Sequence, residues 1–424
     1  MNDVKPIDEE NGKGCLGSMN RVKEGDHVIL QLEHGDDSFA FCVAKKGQRI
    51  KIKRKQYAVD CIIGETYGSC FEIEGKSLKR AKSDGSGNDA ADNKLIVPEQ
   101  TNTKAAGTTT STAAKADTTT ETSSKVSRDN RNLIDDNSAQ KLQQKEIGAL
   151  KSEGTTGAEI IRKLVENSST FRTKTEFSQA KYLKRKRQKY TPRMRLIRPC
   201  AQSLISCMYA KNAQRVLSLR PDALSMLLSN ANVCSCKSIL VAESTSGLVL
   251  GAVAERLGGY GVILNTYFQS HPSIVMLERF NFEQKVKDAI FHFPFSRVNR
   301  LHALQKKLPV QDEYQGTKLT IGDTAAADLV GNGMDGLIVC TDIDIVTVVN
   351  ALLPLLGASK PFAVFSPFSQ GLMECYMDLK NRNAALHLQL TENWVREFQI
   401  LEGRTRPNMN MEDSGGFILS GIKL

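Results

Sequence analysis

The chain has 424 residues, with 57 Lys and Arg against 47 Asp and Glu, a net charge of +10 at pH 7, and 40% hydrophobic residues. That length allows two or three domains, and the apolar fraction excludes wholesale disorder. No run approaches the ~20 apolar residues that cross a bilayer, and the opening MNDVKPIDEE has no apolar core of the kind a secretory signal needs.

Taken in chain order, residues 1–20 read as a flexible N-terminus. Residues 21–80 carry short runs rich in β-branched and aromatic residues: HVILQL, SFAFCVA, QRIKIK and YAVDCII, separated by turn signals such as HGDDS and KKGQ. The spacing predicts a small antiparallel β-barrel. Within it, Lys45, Lys46, Arg49, Lys51, Lys53, Arg54 and Lys55 make a basic stretch that fits solvated strand lysines as well as RNA contact. Residues 81–130 differ in kind. Ten threonines fall between Thr101 and Thr122, no aromatic occurs, and six basic residues face seven acidic ones. Such a tract cannot bury enough apolar surface to offset its ordering entropy, so a disordered insertion is expected.

Residues 131–199 read as a helical connector. Thr156 and Glu159 have capping-box spacing ahead of the apolar stripe Ile160, Ile161, Leu164 and Val165, and Thr173 with Glu176 repeats the start signal. The run KYLKRKRQKYTPRMRLIR follows at 181–198, with nine basic residues and no acidic one. That single window matches nearly the whole net charge. Cations interleaved with Tyr182 and Tyr190 suit phosphate contact through counterion release, with rings available for stacking. The candidate RNA-binding residues are Lys181, Lys184, Arg185, Lys186, Arg187, Lys189, Tyr190, Arg193 and Arg195. Successive helical residues turn by 100°, so only a subset of Lys184, Arg185, Lys186 and Arg187 can face one ligand. The same KRKR also has the composition of a nuclear-import signal, and nuclear residence is expected.

From about residue 200 the rhythm becomes α/β. Strand-like runs at 238–242 (SILVA), 261–264 (GVIL), 336–340 (GLIVC) and 362–365 (FAVF) alternate with helical stretches at 248–257, 345–356 and 371–380, and GGFILSGIKL reads as a closing strand. Alternation of this kind predicts a doubly wound, mostly parallel sheet. Its first βα turn is where a nucleotide cofactor would sit, and it reads AESTSGLVLG at 242–251. Only Gly247 lies in the turn, whereas close approach of backbone to a cofactor calls for several glycines there. Gly258 and Gly259 fit a helix C-cap. After the second strand comes Leu264-Asn265-Thr266, with no carboxylate for ribose hydroxyls. Asp342 and Asp344 follow the fourth strand, where a helix N-terminus favours Asp without any further function. None of the six histidines pairs with a cysteine or carboxylate at nucleophile or metal spacing. The ten cysteines are scattered, and the C-x-C spacing of Cys234 and Cys236 fits neither a zinc knuckle nor a disulfide framework. Reduced thiols are expected. The residues thus predict a methyltransferase-like sheet with no catalytic, cofactor-binding or metal residues.

Several segments together resemble the non-catalytic subunits of the eukaryotic tRNA adenine-N1 methyltransferase. They are NRNLID at 130–135, TTGAEIIRKLVENS with the basic KYLKRKRQKY, RPDALS at 220–225, ERLGGY at 255–260, and the tail from Trp394 through GRTRP at 403–407. The likeness covers about 20–80 and 130–424; the composition of 81–130 departs from it. The resemblance implies an α/β plus small β architecture: an N-terminal antiparallel β-barrel followed by a degenerate Rossmann-like methyltransferase domain at 200–424. It implies tRNA as ligand, an S-adenosylmethionine-binding catalytic methyltransferase paralogue as partner, a heterotetramer of two heterodimers, and no cofactor or membrane for this chain. Two other readings stay open on the residues alone: an RNA-binding translation-initiation component, and an active S-adenosylmethionine enzyme with an unusual pocket. The closing segment 416–424 and the 404–411 loop are candidates for the partner contact.

Overall fold

The computed structural model describes residues 20–32, 39–52, 55–74, 77–81, 139–153, 155–306, 314–331, 333–400, 404–409, 411 and 414–424. The expected disordered insertion, the N-terminal segment and the NRNLID stretch fall almost wholly outside the described residues.

The N-terminal strands are β1 (His27–Leu32), β2 (Phe39–Val43), β3 (Arg49–Ile52), β4 (Lys55–Ala58), β5 (Cys70–Glu74) and β6 (Ser77–Arg80). The fourth expected run, YAVDCII, is split. Strand ends at Ala58 and a 3-10 turn, Asp60–Ile62, follows, because the Asp60 carboxylate accepts the Gly47 N–H at 2.6 Å and bends the chain. A seventh strand, β7 (Arg193–Ile197), completes an antiparallel sheet of order β2-β1-β7-β5-β6, and β3 and β4 form a separate two-stranded ladder. Antiparallel strands are what the described ladders show; none of them joins the sheet's two edges into a closed barrel.

β7 is the main departure from the sequence expectation, which placed Arg193 and Arg195 in the helical connector. Pro192 disfavours helix in the residue before it, and RMRLI alternates, with Met194 and Leu196 fully buried beside Val28, Leu30 and Phe71. The connector itself is three helices: α1 (Gln144–Ser152), α2 (Gly157–Glu166) and α3 (Glu176–Tyr190). The capping box at α2 forms as expected, with Thr156 Oγ1 accepting from Glu159 N and Glu159 accepting from Thr156 N. At α3 the cap is Thr175 rather than Thr173; its hydroxyl accepts from Ser178 N, while Thr173 donates to the Thr170 carbonyl.

The C-terminal region holds α4 (Ala201–Asn212), α5 (Pro221–Asn230), β8 (Lys237–Glu243), α6 (Leu248–Leu257), β9 (Gly261–Tyr267), α7 (Gln284–Asp288), β10 (Ile290–Pro294), α8 (Val298–Gln305), α9 (Asp323–Val330), β11 (Gly336–Cys340), α10 (Ile345–Leu352), β12 (Pro361–Ser366), α11 (Ser369–Asn381), β13 (Ala385–Trp394), the short hairpin β14 (Phe398–Gln399) and β15 (Arg406–Pro407), and β16 (Ser414–Lys423). Its sheet has the order β10-β9-β8-β11-β12-β16-β13. β8 through β12 run parallel, while β16 is antiparallel to both β12 and β13. The parallel strands are continuous apolar runs because helices cover both faces. Ile239, Val241, Ile338 and Phe365 pack with α4, α5 and α6, whereas Leu240, Val339 and Val364 pack with α8 to α11. β16 is interior, with Ile418 and Leu419 fully buried. Of the expected partner-contact segment 416–424, Gly416, Ile418, Leu419 and Gly421 are buried and Leu424 is exposed.

A cationic helix face and a βα turn bonded to its own strand

The basic run divides between two elements. On α3, Lys181, Lys184, Arg185 and Lys189 are exposed and share one face, at the i, i+3, i+4 and i+8 positions that align along a helix. The opposite face anchors the helix. Leu183 is buried with Ile161, Val165 and Phe171, and Tyr182 and Tyr190 pack against that cluster. Lys186 and Arg187 sit between the two faces, half-buried, with the Lys186 ammonium 5.0 Å from the centre of the Tyr182 ring. Burial, and then the charge of Lys189, lower the pKa of Lys186. Tyr190 is half-buried with the Lys189 ammonium 5.6 Å from its ring centre. On β7, Arg193 donates to Glu72 at 2.9 Å, and Arg195 is exposed. The structure thus brings four of the nine candidates into one solvent-facing stripe, and spreads the others over the helix flank and the N-terminal sheet.

The sheet reverses order between β8 and β11, and the cleft at their carboxyl ends is where an open α/β sheet binds its ligand. The turn after β8 is closed by its own strand. Glu243, the last residue of β8 and buried, accepts hydrogen bonds from Thr245 N at 2.8 Å, Gly247 N at 2.6 Å and the Thr245 hydroxyl. Burial raises its pKa, and the three donors work against that rise. The sequence reading passed over Glu243, although an acidic residue closing an otherwise apolar strand was the available signal. Ser246 and Gly247 both take the left-handed conformation, with φ of +62° and +90°. The Ser246 carbonyl is taken by the Met276 N–H at 2.9 Å, and a Cβ on Gly247 would lie 3.2 Å from the Leu277 nitrogen. The segment after β9 therefore lies across the turn, with Met276 and Phe280 buried in the core.

The neighbouring positions agree. β9 continues past Leu264, so Asn265 and Thr266 are buried strand residues; Asn265 faces His292 at 3.0 Å and Thr266 donates to the Val241 carbonyl. Beyond the strand come Phe268, Gln269 and Ser270, again without a carboxylate. Asp344 caps α10 by accepting from Thr347 N at 2.8 Å, and hydrogen bonding to the Thr347 side chain and then to its backbone lowers its pKa. Two surface grooves lie elsewhere, one between α4, α5 and α6, and one lined by Arg220, Asp222, Val395 and Met411. Among the described residues no group of three His, Cys, Asp or Glu has metal-binding geometry, and no disulfide joins the described cysteines. No helix among them is long and apolar enough to cross a membrane.

Comparison with known proteins agrees with this arrangement. An S-adenosylmethionine-dependent O-methyltransferase from Thermotoga maritima superposes with a TM-score of 0.50 over 96% of each chain at 11% identity, which establishes a methyltransferase-type, Rossmann-like fold. Among sequences, the tRNA (adenine(58)-N(1))-methyltransferase non-catalytic subunit of Dictyostelium discoideum is 32% identical over 96% of this chain and 80% of its own length. The mouse protein of the same name is 29% identical over 95% of this chain and 88% of its own. The sequence model of the Gcd10p family matches residues 21–326, and the chain belongs to the Gcd10p family.

Proposed function

We propose that this chain is the non-catalytic, tRNA-binding subunit of a tRNA (adenine(58)-N(1))-methyltransferase, working beside a catalytic paralogue that holds S-adenosylmethionine. The observation that carries the reading is the βα turn: its N–H groups are bonded to Glu243 and its outer side lies under Met276 and Leu277. The division of labour has a physical basis. A T-loop adenine is packed within folded tRNA, and drawing it out for attack at N1 costs a few kcal/mol, which phosphate contacts over a wide surface offset. The exposed stripe Lys181, Lys184, Arg185 and Lys189 supplies such contacts here.

We assign the partner contact to the sheet edge β13 and the arm beyond it. Trp394, Phe398 and Ile400 are exposed there, Ile400 by 80%, and an unpaired edge strand is a ready template for another chain. Pairing of two heterodimers into a heterotetramer, and nuclear residence through Lys184–Arg187, complete the reading; solution mass and the location of a tagged chain test them. Closure of the N-terminal strands into a barrel is supported by β3 lying against β2 and β4 against β6.

The decisive experiment is calorimetry and methyl transfer on the chain alone and with its co-expressed paralogue. The chain alone is expected to bind no S-adenosylmethionine, and the pair to methylate N1 of the tRNA adenine. Micromolar binding by the isolated chain would overturn the proposal.

A further inference from the structure

Two cations outside the predicted basic run lie against one aromatic ring, and a third lies beside them. Lys211 lies in the last turn of α4, Arg215 in the 3-10 turn Ala213–Val216 that follows, and Arg279 in the 3-10 turn Leu277–Phe280 beyond β9. Lys211 Nζ is 4.5 Å and Arg279 Cζ 4.1 Å from the centroid of Phe41, on β2. Burial and then the charge of Arg215 lower the pKa of Arg279; burial also lowers that of Lys211, with Arg279 contributing and Cys207 opposing. Among the described residues none of the three cations is in an ion pair. Glu278, next in the chain, acts on His27.

The position is held firmly. Asn281, in the left-handed conformation, accepts from His27 N at 2.7 Å and donates to the His27 carbonyl at 2.8 Å, which ties the Arg279 turn to β1. Phe41 pairs across the sheet with Ile29, and Ile29 with Ile197; one row along, Phe39 pairs with Gln31 and Gln31 with Arg195. Residues paired directly across strands, and those two apart along a strand, project from the same face. Arg195 therefore shares the Phe41 face, about 7 Å along the strand direction. β7 in turn follows α3 directly.

We propose that Lys211, Arg215 and Arg279 form a second phosphate-binding station for RNA, at the seam between the two sheets and joined through Arg195 to the α3 stripe. This rests on the reading of the chain as an RNA-binding subunit and extends its binding surface. A structural staple between the sheets would need one cation on the ring. Here two flank it, and Arg215 adds a third that touches no ring and lies close enough to act on Arg279. Phosphodiester oxygens relieve that repulsion.

The test is tRNA binding between 50 and 200 mM salt by the full chain in complex with its catalytic paralogue, wild type against K211Q/R215Q/R279Q. Each lost phosphate contact reduces the logarithmic salt slope by about 0.7, so the triple variant is expected to be shallower by roughly 2 units. Arg215→Gln alone, exposed and off the ring, is expected to lose about 0.7, and keeps the test open if the triple variant folds poorly. A wild-type slope in folded variants, with or without a lowered unfolding temperature, overturns the station. So does a wild-type slope accompanied by loss of the catalytic subunit, which would give the cluster to a protein partner. K181Q/K184Q/R185Q/K189Q separates this from the underlying reading. If that variant loses affinity while the cluster variant does not, only the station falls; if the wild type shows no salt-dependent binding, the RNA-binding reading falls.

Discussion

Neutralising the α3 stripe to glutamine at Lys181, Lys184, Arg185 and Lys189 separates binding from folding, because the two are expected to move independently. None of these four side chains is in an ion pair among the described residues, and the buried face of the helix, Leu183 with Ile161, Val165 and Phe171, is left intact. Lys181 and Lys184 are spaced i, i+3, while Lys181 and Arg185, and Arg185 and Lys189, are spaced i, i+4. Relief of those three like-charge pairs is worth about 0.2–0.5 kcal/mol each. Losing Lys189 from the last turn removes about 0.3–1 kcal/mol of favourable interaction with the helix dipole. The two effects nearly cancel, so urea unfolding should shift by less than about 1 kcal/mol. Binding should not be spared. Four lost phosphate contacts reduce the salt slope by about 3 to 4 units. Between 50 and 200 mM salt the wild-type complex should then lose roughly 50- to 150-fold more affinity than the variant. Fluorescence anisotropy with labelled tRNA across that range is the assay. A slope within one unit of wild type, in a variant whose circular dichroism is unchanged, would refute the assignment of α3 to RNA.

Two further outcomes follow from buried groups near the ends of β9 and β10. Asp323 is fully buried at the start of α9 and accepts from Arg297 at 2.9 and 2.5 Å and from Tyr314 N at 3.0 Å. Arg297→Leu leaves that carboxylate without its counter-charge, so a loss of about 3–5 kcal/mol in urea unfolding is expected, part of which R297L/D323N should recover. His292, buried beside Asn265, has its pKa lowered from 6.5 to about 4 by burial. The folded state keeps it neutral while the unfolded chain protonates first, so its contribution is whole above pH 6.5 and is lost as pH falls towards 4. Up to roughly 3 kcal/mol of acid sensitivity in that window should be absent from His292→Gln in thermal melts; equal pH dependence in both proteins would contradict the reasoning.

The C-terminal fold was legible because its signals are local. Buried parallel strands are continuous apolar runs, so SILVA, GVIL, GLIVC and FAVF marked β8, β9, β11 and β12, and α6 follows the apolar run at 248–257. β10 was missed because IFHFP is short and ends in proline, and β13 because ALHLQLTENW is largely exposed and carries no apolar run. β7 was hidden by its charges. Arg193 and Arg195 alternate with buried Met194 and Leu196, yet they continue a cationic string whose first half is helix. Which cations are exposed was half legible. Helical geometry required that only a subset of 184–187 face one ligand, but the choice depends on Leu183 and its contacts with α2, which lie in tertiary packing. The cluster at Phe41 had no signature along the chain, since its members come from residues 41, 211, 215 and 279 and meet only when the two sheets pack.

The same packing bears on why a methyltransferase sheet persists where Gly247 alone lies in the first βα turn. In a cofactor-binding turn the backbone N–H groups face the ligand, and small residues let it come close. Here Glu243 takes those donors, and the segment after β9 covers the turn through the bond between Met276 and Ser246. That covering segment continues directly into Arg279 and Asn281, the residues that carry the charge at Phe41 and bind β1. Closing the cleft and docking the N-terminal sheet are thus done by one short stretch, 274–281. A chain that reopened the cleft by moving this stretch would also withdraw Arg279 from the seam. On this geometry, the cover over the βα turn and the placement of Arg279 at the seam between the two sheets are set by one and the same segment.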